Sequence, residues 1–394
     1  MKLRVAGFAF IVFAGAAGCQ TSSRNDLGAS TADAEADAGG RPDAGAPVDS
    51  GTWPDAQALD SGIEPDAQSE DAGIWPDAST SDGSSPFDSG IGPAPLSCSV
   101  RQAFPPTPLS GRIFSATSYS AATEPVFEVT SGTSVQFATV PANNYVGPLI
   151  VTLDGRLLVT LNDANGSIFD ITGGSTFTST RGNLVSNLFP TGISYVEGFT
   201  ADNAGRLYVA NSETQSRIAV FTTTVAGGHV SYLPRTYDNP SGLVVCGDLL
   251  VIAEGNTGRI RTWDIATKTS TSFAFGFHAG NGHISAQLVI DHRGHLLTNW
   301  SNAAHGQGIY DVTAGGDMSS ATPLVPITTS PSGSRPVPTI DSNQLAVDTS
   351  DSIYMAGASS GNLYVSKKSA DGTYMPFTVF ATGLGDTEVV AVGP

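Results

Sequence analysis

Cysteine, positive charge and helical patterning are all scarce in this 394-residue chain, and each scarcity removes a class of answer. The three cysteines, Cys19, Cys98 and Cys246, are too few for a disulfide-built scaffold and form no Cys-x-x-Cys pair of the kind that holds zinc or runs redox chemistry. Eighteen Lys and Arg stand against 36 Asp and Glu, a net charge of −18, and no basic cluster is present to displace counterions from phosphate, so nucleic acid is not a partner to expect. Other catalytic signatures are missing as well: there is no His-Glu-x-x-His and no phosphate-cradling glycine loop. Helical periodicity is nearly absent beyond the first residues, whereas Gly, Ser, Thr, Val and turn dipeptides abound, which argues for an all-β fold.

The acidity is unevenly placed. Residues 20–97 hold fifteen Asp or Glu against two Arg, which accounts for −13; with the two basic residues of the leader, only −7 remains for residues 98–394. In the leader, Lys2 and Arg4 precede an apolar run over residues 5–15, too short to span a bilayer, and then Ala16-Ala17-Gly18 before Cys19, which reads as a cleaved signal over 1–18. From 19 to 97 the chain is low in complexity, with Pro-Asp-Ala at Pro42, Pro54, Pro65 and Pro76 and Asp-Ser-Gly at Asp49, Asp60 and Asp88. So few aliphatic residues do not offset the entropy of ordering, and a disordered acidic tether is expected, spanning on the order of 50 Å.

Beyond the tether one unit recurs. In residues 204–221 a β-favouring run, Leu207-Tyr208-Val209, is entered through a turn with Asp202, Asn203 and Gly205, and a second run over 217–221 follows after a polar loop. Equivalent first runs open at Ile113, Leu157, Leu207, Leu249, Leu296 and Ile353, about 42 to 57 residues apart, the spacing of four-stranded propeller blades. The second run repeats an aromatic, an acid, an aliphatic and a small residue at Phe127-Glu128-Val129-Thr130, Phe169-Asp170-Ile171-Thr172, Trp263-Asp264-Ile265-Ala266 and Tyr310-Asp311-Val312-Thr313. Six units predict a six-bladed β-propeller over 98–394. The first unit has no inner strand, because Pro105, Pro106 and Pro108 precede Ile113, while Glu388-Val389-Val390-Ala391-Val392 ends the chain unattached. The C-terminal strand is therefore expected to complete the first blade and close the ring.

Three resemblances add expectations. Ala16-Ala17-Gly18-Cys19 resembles a bacterial lipobox, which implies a lipidated Cys19, and Gln20 resembles the sorting context of outer-membrane lipoproteins; a lipid-anchored envelope protein, periplasmic or surface-exposed, follows from it. Gly205-Arg206-Leu207-Tyr208-Val209-Ala210 with Arg217-Ile218 resembles an NHL repeat, and the six-unit count is similar to TolB-like six-bladed propellers. Glu197-Gly198, followed by Asp202, Gly205 and Leu207-Tyr208-Val209, is similar to the opening of a senescence-marker-protein/gluconolactonase unit, which implies a metal-binding Glu197 with Asn239 as a second ligand. Gln287-Leu288 and Gln344-Leu345 stand where that family would place an Asp-Gly carrying ligand and base.

Propeller topology gathers the starts of the inner strands around one mouth, with Glu197, Asn239, His283, Asn343 and Glu388, and adds Asn162, Asp163, Asn211, Glu213, Glu254, Asn256, Asn299 and His305 from the neighbouring loops. Carboxylates and amide oxygens converging on an axis suit Ca²⁺. The plainer alternative is that these side chains satisfy turn backbone. His278, His283 and His305 come from loops on the same face, whereas His292 and His295 belong to a turn on the other. Cys98 and Cys246 are either a disulfide or buried thiols. Two functions remain open: a non-enzymatic module that binds a protein or glycan, and a divalent-metal-dependent lactonase or esterase-like hydrolase resting on Glu197, Asn239 and Glu388. A purely architectural role is the third.

Overall fold

The structure is a computed structural model. It describes residues 93–98, 106–117, 123–141, 145–162, 166–177, 183–186, 188–189, 195–212, 216–222, 228–277, 286–302, 304–327, 344–357 and 360–394. All of these belong to one compact unit, Ser81–Pro394; a second, Met1–Thr80, lies outside the described residues, and with it the leader, Cys19 and most of the tether.

No helix occurs among the described residues, which form 26 strands. In chain order they are β1 (Ile113–Thr117), β2 (Thr123–Thr130), β3 (Thr133–Pro141), β4 (Tyr145–Val151), β5 (Leu157–Asn162), β6 (Ser167–Asp170), β7 (Ser175–Thr176), β8 (Asn183–Ser186) and β9 (Val196–Ala201). There follow β10 (Arg206–Asn211), β11 (Ile218–Thr222), β12 (His229–Tyr232), β13 (Pro240–Cys246), β14 (Leu249–Glu254), β15 (Arg259–Asp264), β16 (Thr269–Phe275), β17 (Leu288–Ile290) and β18 (Leu296–Asn302). The last are β19 (Gly306–Asp311), β20 (Gly316–Asp317), β21 (Val325–Pro326), β22 (Leu345–Val347), β23 (Ile353–Gly357), β24 (Asn362–Ser366), β25 (Thr378–Ala381) and β26 (Thr387–Val392).

They assemble into six sheets: β26-β1-β2-β3-β7, β4-β5-β6-β8, β9 to β12, β13 to β16 with β20, β17-β18-β19-β21, and β22 to β25. Each is one blade with its first-named strand innermost. Two-residue strands from the following blade, β7 and β20, run parallel along the outer edges of β3 and β16 and cover them.

The ring closes between the two ends of the domain. β26 pairs antiparallel with β1 from Ile113↔Val392 to Thr117↔Thr387. The Ser115 and Thr387 hydroxyls lie against each other there, with Ser115 Oγ 2.8 Å from Val389 O and Thr387 Oγ1 3.0 Å from Ala116 O, so their two protons are shared among three acceptors. Six apolar clusters fill the six gaps between neighbouring blades. Alternation explains how one strand serves two of them: Leu157 and Val159 of β5 turn toward blade 1, and Leu158 between them turns toward blade 3. Strands buried on both faces read as continuous apolar runs, which is why Leu157-Leu158-Val159 carries no polar alternation.

The recurring acid has a local cause. Thr172 Oγ1 accepts Leu157 N at 2.9 Å and donates to Asp170 Oδ1 at 2.5 Å; Thr313 Oγ1 does the same between Leu296 N, at 2.8 Å, and Asp311 Oδ1, at 2.5 Å. The Asp-aliphatic-Thr triplet thus caps the start of the preceding strand. Burial pushes the Asp170 carboxyl up, but hydrogen bonds from Thr172 and Arg156 outweigh it and leave the group below its usual value.

Residues before β1 also pack on the ring. Leu96 N donates to Thr313 O at 2.9 Å, and Cys98 is joined by a disulfide to Cys246 at the end of β13. The ordered contacts therefore begin upstream of residue 98.

Candidate functional site

Each innermost strand pairs on one side only, so its other edge of backbone N–H and C=O groups faces the axis. The starts of these strands converge closely. A Cβ on Gly242 would lie 2.2 Å from Ala286 O, and one on Gly198 would lie 3.0 Å from Ser241 O, so glycine is required for this approach.

Two glutamines occupy the axis at this level. Gln344 Oε1 accepts Leu149 N at 3.0 Å and its Nε2 donates to Leu149 O at 2.5 Å, while Gln344 N donates to Glu388 O at 3.0 Å. Gln287 Nε2 donates to Glu197 O at 3.0 Å and to Ser241 O at 3.1 Å. The Gln344 amide behaves like a peptide unit added to a strand edge, and the Gln287 amide donates to two strands at once. Gln344 ties the inner strands of blades 6, 1 and 2, and Gln287 those of blades 5, 4 and 3. Sequence reasoning placed these residues only as departures from a metal-site pattern; their role is structural and depends on which strand edges they meet.

Gln344 borders two cavities. The lower one, about 350 Å³, is lined by inner strands of all six blades and opens among the turns that hold Asn203, Asp291 and His292. The upper one, about 190 Å³, lies at the mouth where the inner strands begin and is bordered by Tyr145, Asn162, Tyr195, Glu197, Gln287, Gln344 and Glu388.

Glu197 and Glu388 therefore share the upper cavity, both half-buried. Asn239 does not line it. It sits in a turn with φ of 55°, its carbonyl accepting Gly255 N at 2.9 Å and its amide facing Asn256 Oδ1 at 3.4 Å. Asn256 donates to Asp238 Oδ1 at 3.0 Å. Asn162 lines the cavity, with Oδ1 accepting Val196 N at 2.7 Å. Asn299 is buried and accepts Gln287 N at 2.7 Å, and Glu254 is buried with Arg261 Nε at 2.8 Å and Asp238 N at 3.3 Å. Asn211 is buried at the end of β10. His305 is exposed, its N–H donating to Asn302 Oδ1 at 2.8 Å. Asp163, Glu213, His278, His283 and Asn343 lie outside the described residues. Among the described residues no group of three or more His, Cys, Asp and Glu is arranged to hold a metal ion.

Tyr145 and Tyr195 were not singled out from the sequence. Their rings meet at 6.1 Å between centroids, tilted by 36°. The available signal was that each opens or immediately precedes an inner strand, at the same end as Glu197. On the lower face, Lys368 is nearly buried, with Nζ 3.4 Å from Asp351 Oδ2, 3.9 Å from Asp291 Oδ2 and 4.8 Å from the centre of the Tyr374 ring. His292 N donates to Asp351 Oδ1 at 3.0 Å, and His295 Nδ1 is 3.2 Å from Asp291 Oδ2. Burial first, then Asp291 and Asp351, pushes the Tyr374 hydroxyl well above its usual value, so it stays protonated. This cluster joins blade 5 to blade 6.

No protein-family model and no curated protein matches the chain. Solved structures are similar in backbone: one from a nidogen/laminin complex, at 13% identity over 72% of this chain and 98% of the other with a TM-score of 0.49. A protein from Lactobacillus plantarum gives 11% identity over 71% and 98%, with a TM-score of 0.42. A third, U3-55K, gives 14% identity over 76% and 85%, with a TM-score of 0.45. Likenesses of this size carry no statement about what this chain binds.

Proposed function

We propose that this chain is a membrane-tethered, extracytoplasmic propeller that binds a protein or other surface ligand at its upper mouth and performs no reaction there. The observation that carries the reading is the use of Gln287 and Gln344 at the axis. A primary amide neither ionises as a base nor supplies a charged metal ligand, and both amides are engaged with strand backbone. Asn162, Glu254 and Asn299 are likewise engaged in fastening strand ends, which supports the plainer reading of those positions. In this proposal lipidation at Cys19 and the acidic 19–97 segment hold the ring away from the envelope.

The competing reading, a Ca²⁺-dependent lactonase or esterase, draws on the shared cavity of Glu197 and Glu388. Metal analysis of chelator-free protein, combined with assays on a lactone and ester panel with added Ca²⁺, separates the two. The binding reading expects no stoichiometric divalent ion and no turnover above background. Turnover that needs Ca²⁺ and disappears in Glu197→Ala establishes the hydrolase instead. Fatty-acid labelling tests the anchor: incorporation lost in Cys19→Ala is expected, and incorporation that survives the substitution removes it.

A further inference from the structure

We propose that the lower cavity is a second binding site, for a small neutral amide: a molecule that carries an N–H donor beside a C=O acceptor and no net charge. It lies apart from the upper mouth and does not depend on the function proposed there.

The wall of this cavity is main chain. Along an antiparallel strand the N–H and C=O of one residue point the same way, and those of the next point the opposite way. Thr152 N, Asp202 N, Asp291 N, Asp348 N and Gly393 N each donate within their own blade, at 2.8 to 3.1 Å, so the residues just before them, Val151, Ala201, Ile290, Val347 and Val392, turn their backbone groups to the axis. In blade 4 the alternation that starts at Ser241 O, which accepts Gln287 Nε2, does the same for Val245. This inner edge pairs with no other strand. The six side chains are committed elsewhere, one to each of the six inter-blade clusters. A ring of peptide N–H and C=O groups therefore faces a recess of about 350 Å³, within the range of about 300 to 1,000 Å³ that small-ligand sites occupy.

Charge and hydrogen bonding select the class of ligand. Among the described lining residues Asp291 and His292 alone are titratable, and both belong to the cluster at the rim: Asp291 Oδ1 accepts Arg293 N at 2.9 Å and His295 N at 2.8 Å, its Oδ2 lies 3.9 Å from Lys368 Nζ, and His292 N donates to Asp351. A charged ligand would give up its hydration to a wall that is neutral main chain. An apolar one would strip water from the ring and leave its donors and acceptors unmet. A neutral group that donates and accepts together avoids both costs, and the chain carries an example one level higher. Gln344, which borders the cavity, sets its amide against both Leu149 N and Leu149 O, at 3.0 and 2.5 Å. Leu149 stands two residues before Val151 on the same edge of β4, so the ring continues the surface that this amide fits. An amide offers donor and acceptor in one rigid plane, which a hydroxyl does not.

The test is titration of the full chain with cyclo(Gly-Gly), N-acetyl-glycyl-glycine methylamide, N,N-dimethylacetamide and glucose, followed by saturation-transfer NMR and by amide hydrogen exchange. Both N–H-bearing amides should saturate; dimethylacetamide, which accepts but does not donate, and glucose should each bind about tenfold more weakly or worse. Bound amide should slow exchange in the peptides that carry Val151, Ala201, Val245, Ile290, Val347 and Val392 and leave the outer strands β8, β12 and β25 unchanged. Tighter binding of the cyclic compound assigns the source to a free small molecule, and tighter binding of the linear one assigns it to a peptide segment. The inference is overturned if neither amide saturates, which leaves water as the occupant, if dimethylacetamide or glucose binds equally well, or if the protection falls outside the inner strands. Metal analysis and turnover test the proposed function separately, so failure here leaves that reading standing.

Discussion

Asp351 occupies a turn position that blades 2, 3 and 5 give to Gly155, Gly205 and Gly294, all with φ near 80°. At φ of 60° an aspartate tolerates the left-handed region better than most residues, and its carboxylate accepts His292 N and faces Lys368 and Arg293. Strain at one turn is thus offset by a link between two blades. Asp351→Ala keeps the strain and leaves Lys368 nearly buried without that partner, so denaturant melts should show a loss of about 3 kcal/mol or more. Asp351→Asn should lose less than half as much, and equal losses would refute this account. Glu128 offers a pH test. Arg112 donates Nε and Nη2 to it at 2.7 and 2.5 Å, and these hydrogen bonds hold its carboxyl below its ordinary 4.5. A lowered folded-state value contributes stability that is present above 4.5 and lost as pH falls through the lowered value. The acid-side decline in melting temperature should be shallower in Glu128→Gln; an identical slope would sink the assignment. The Asp-aliphatic-Thr triplets were legible as repeats in the sequence, but not that their threonines cap a strand, since that needs the preceding strand alongside.

Strand order is the level at which sequence reading went furthest. The expected openings Ile113, Leu157, Leu249, Leu296 and Ile353 are first residues of strands, and Leu207 is the second residue of β10. The aromatic-acid runs lie at the ends of the third strands of blades 1, 2, 4 and 5: the aromatic packs in an inter-blade gap, and in blades 2, 4 and 5 the acid is the strand's last residue, where the turn begins. Closure by the terminal strand was legible from an imbalance: one blade without an inner strand and one strand without a blade. Deleting residues 389–394 removes most of β26 and should abolish cooperative folding; an unchanged melting transition would refute the closure. The narrow approach of the inner strands was not legible. Gly242→Ala would place a methyl 2.2 Å from Ala286 O and should cost at least about 2 kcal/mol, read by denaturant melts. A neutral substitution would mean that blades 4 and 5 can separate at the mouth.

For the whole molecule, the disulfide binds the approach segment to the ring across 148 residues of sequence. Restricting a loop of that length in the unfolded chain stabilises the folded state by about 2 to 5 kcal/mol. Cys98→Ser should lower the melting temperature in non-reducing buffer and match the wild type in reductant; a wild type indifferent to reductant would contradict the bridge. Composition, alternation and repeat spacing by themselves determined an all-β ring of six units and the manner of its closure, because those features are local or count-like and survive without coordinates. Which polar residues border the central cavity was decided only by the tertiary structure. Asn162, Glu254 and Asn299 look like ligand donors in the sequence, yet they fasten strand ends, whereas Tyr145 and Tyr195 look like ordinary strand residues and line a cavity. The difference is geometric: a side chain's role at the axis depends on which edge of a neighbouring blade stands within about 3 Å of it, the reach of a hydrogen bond, and residues of different blades are far apart along the chain.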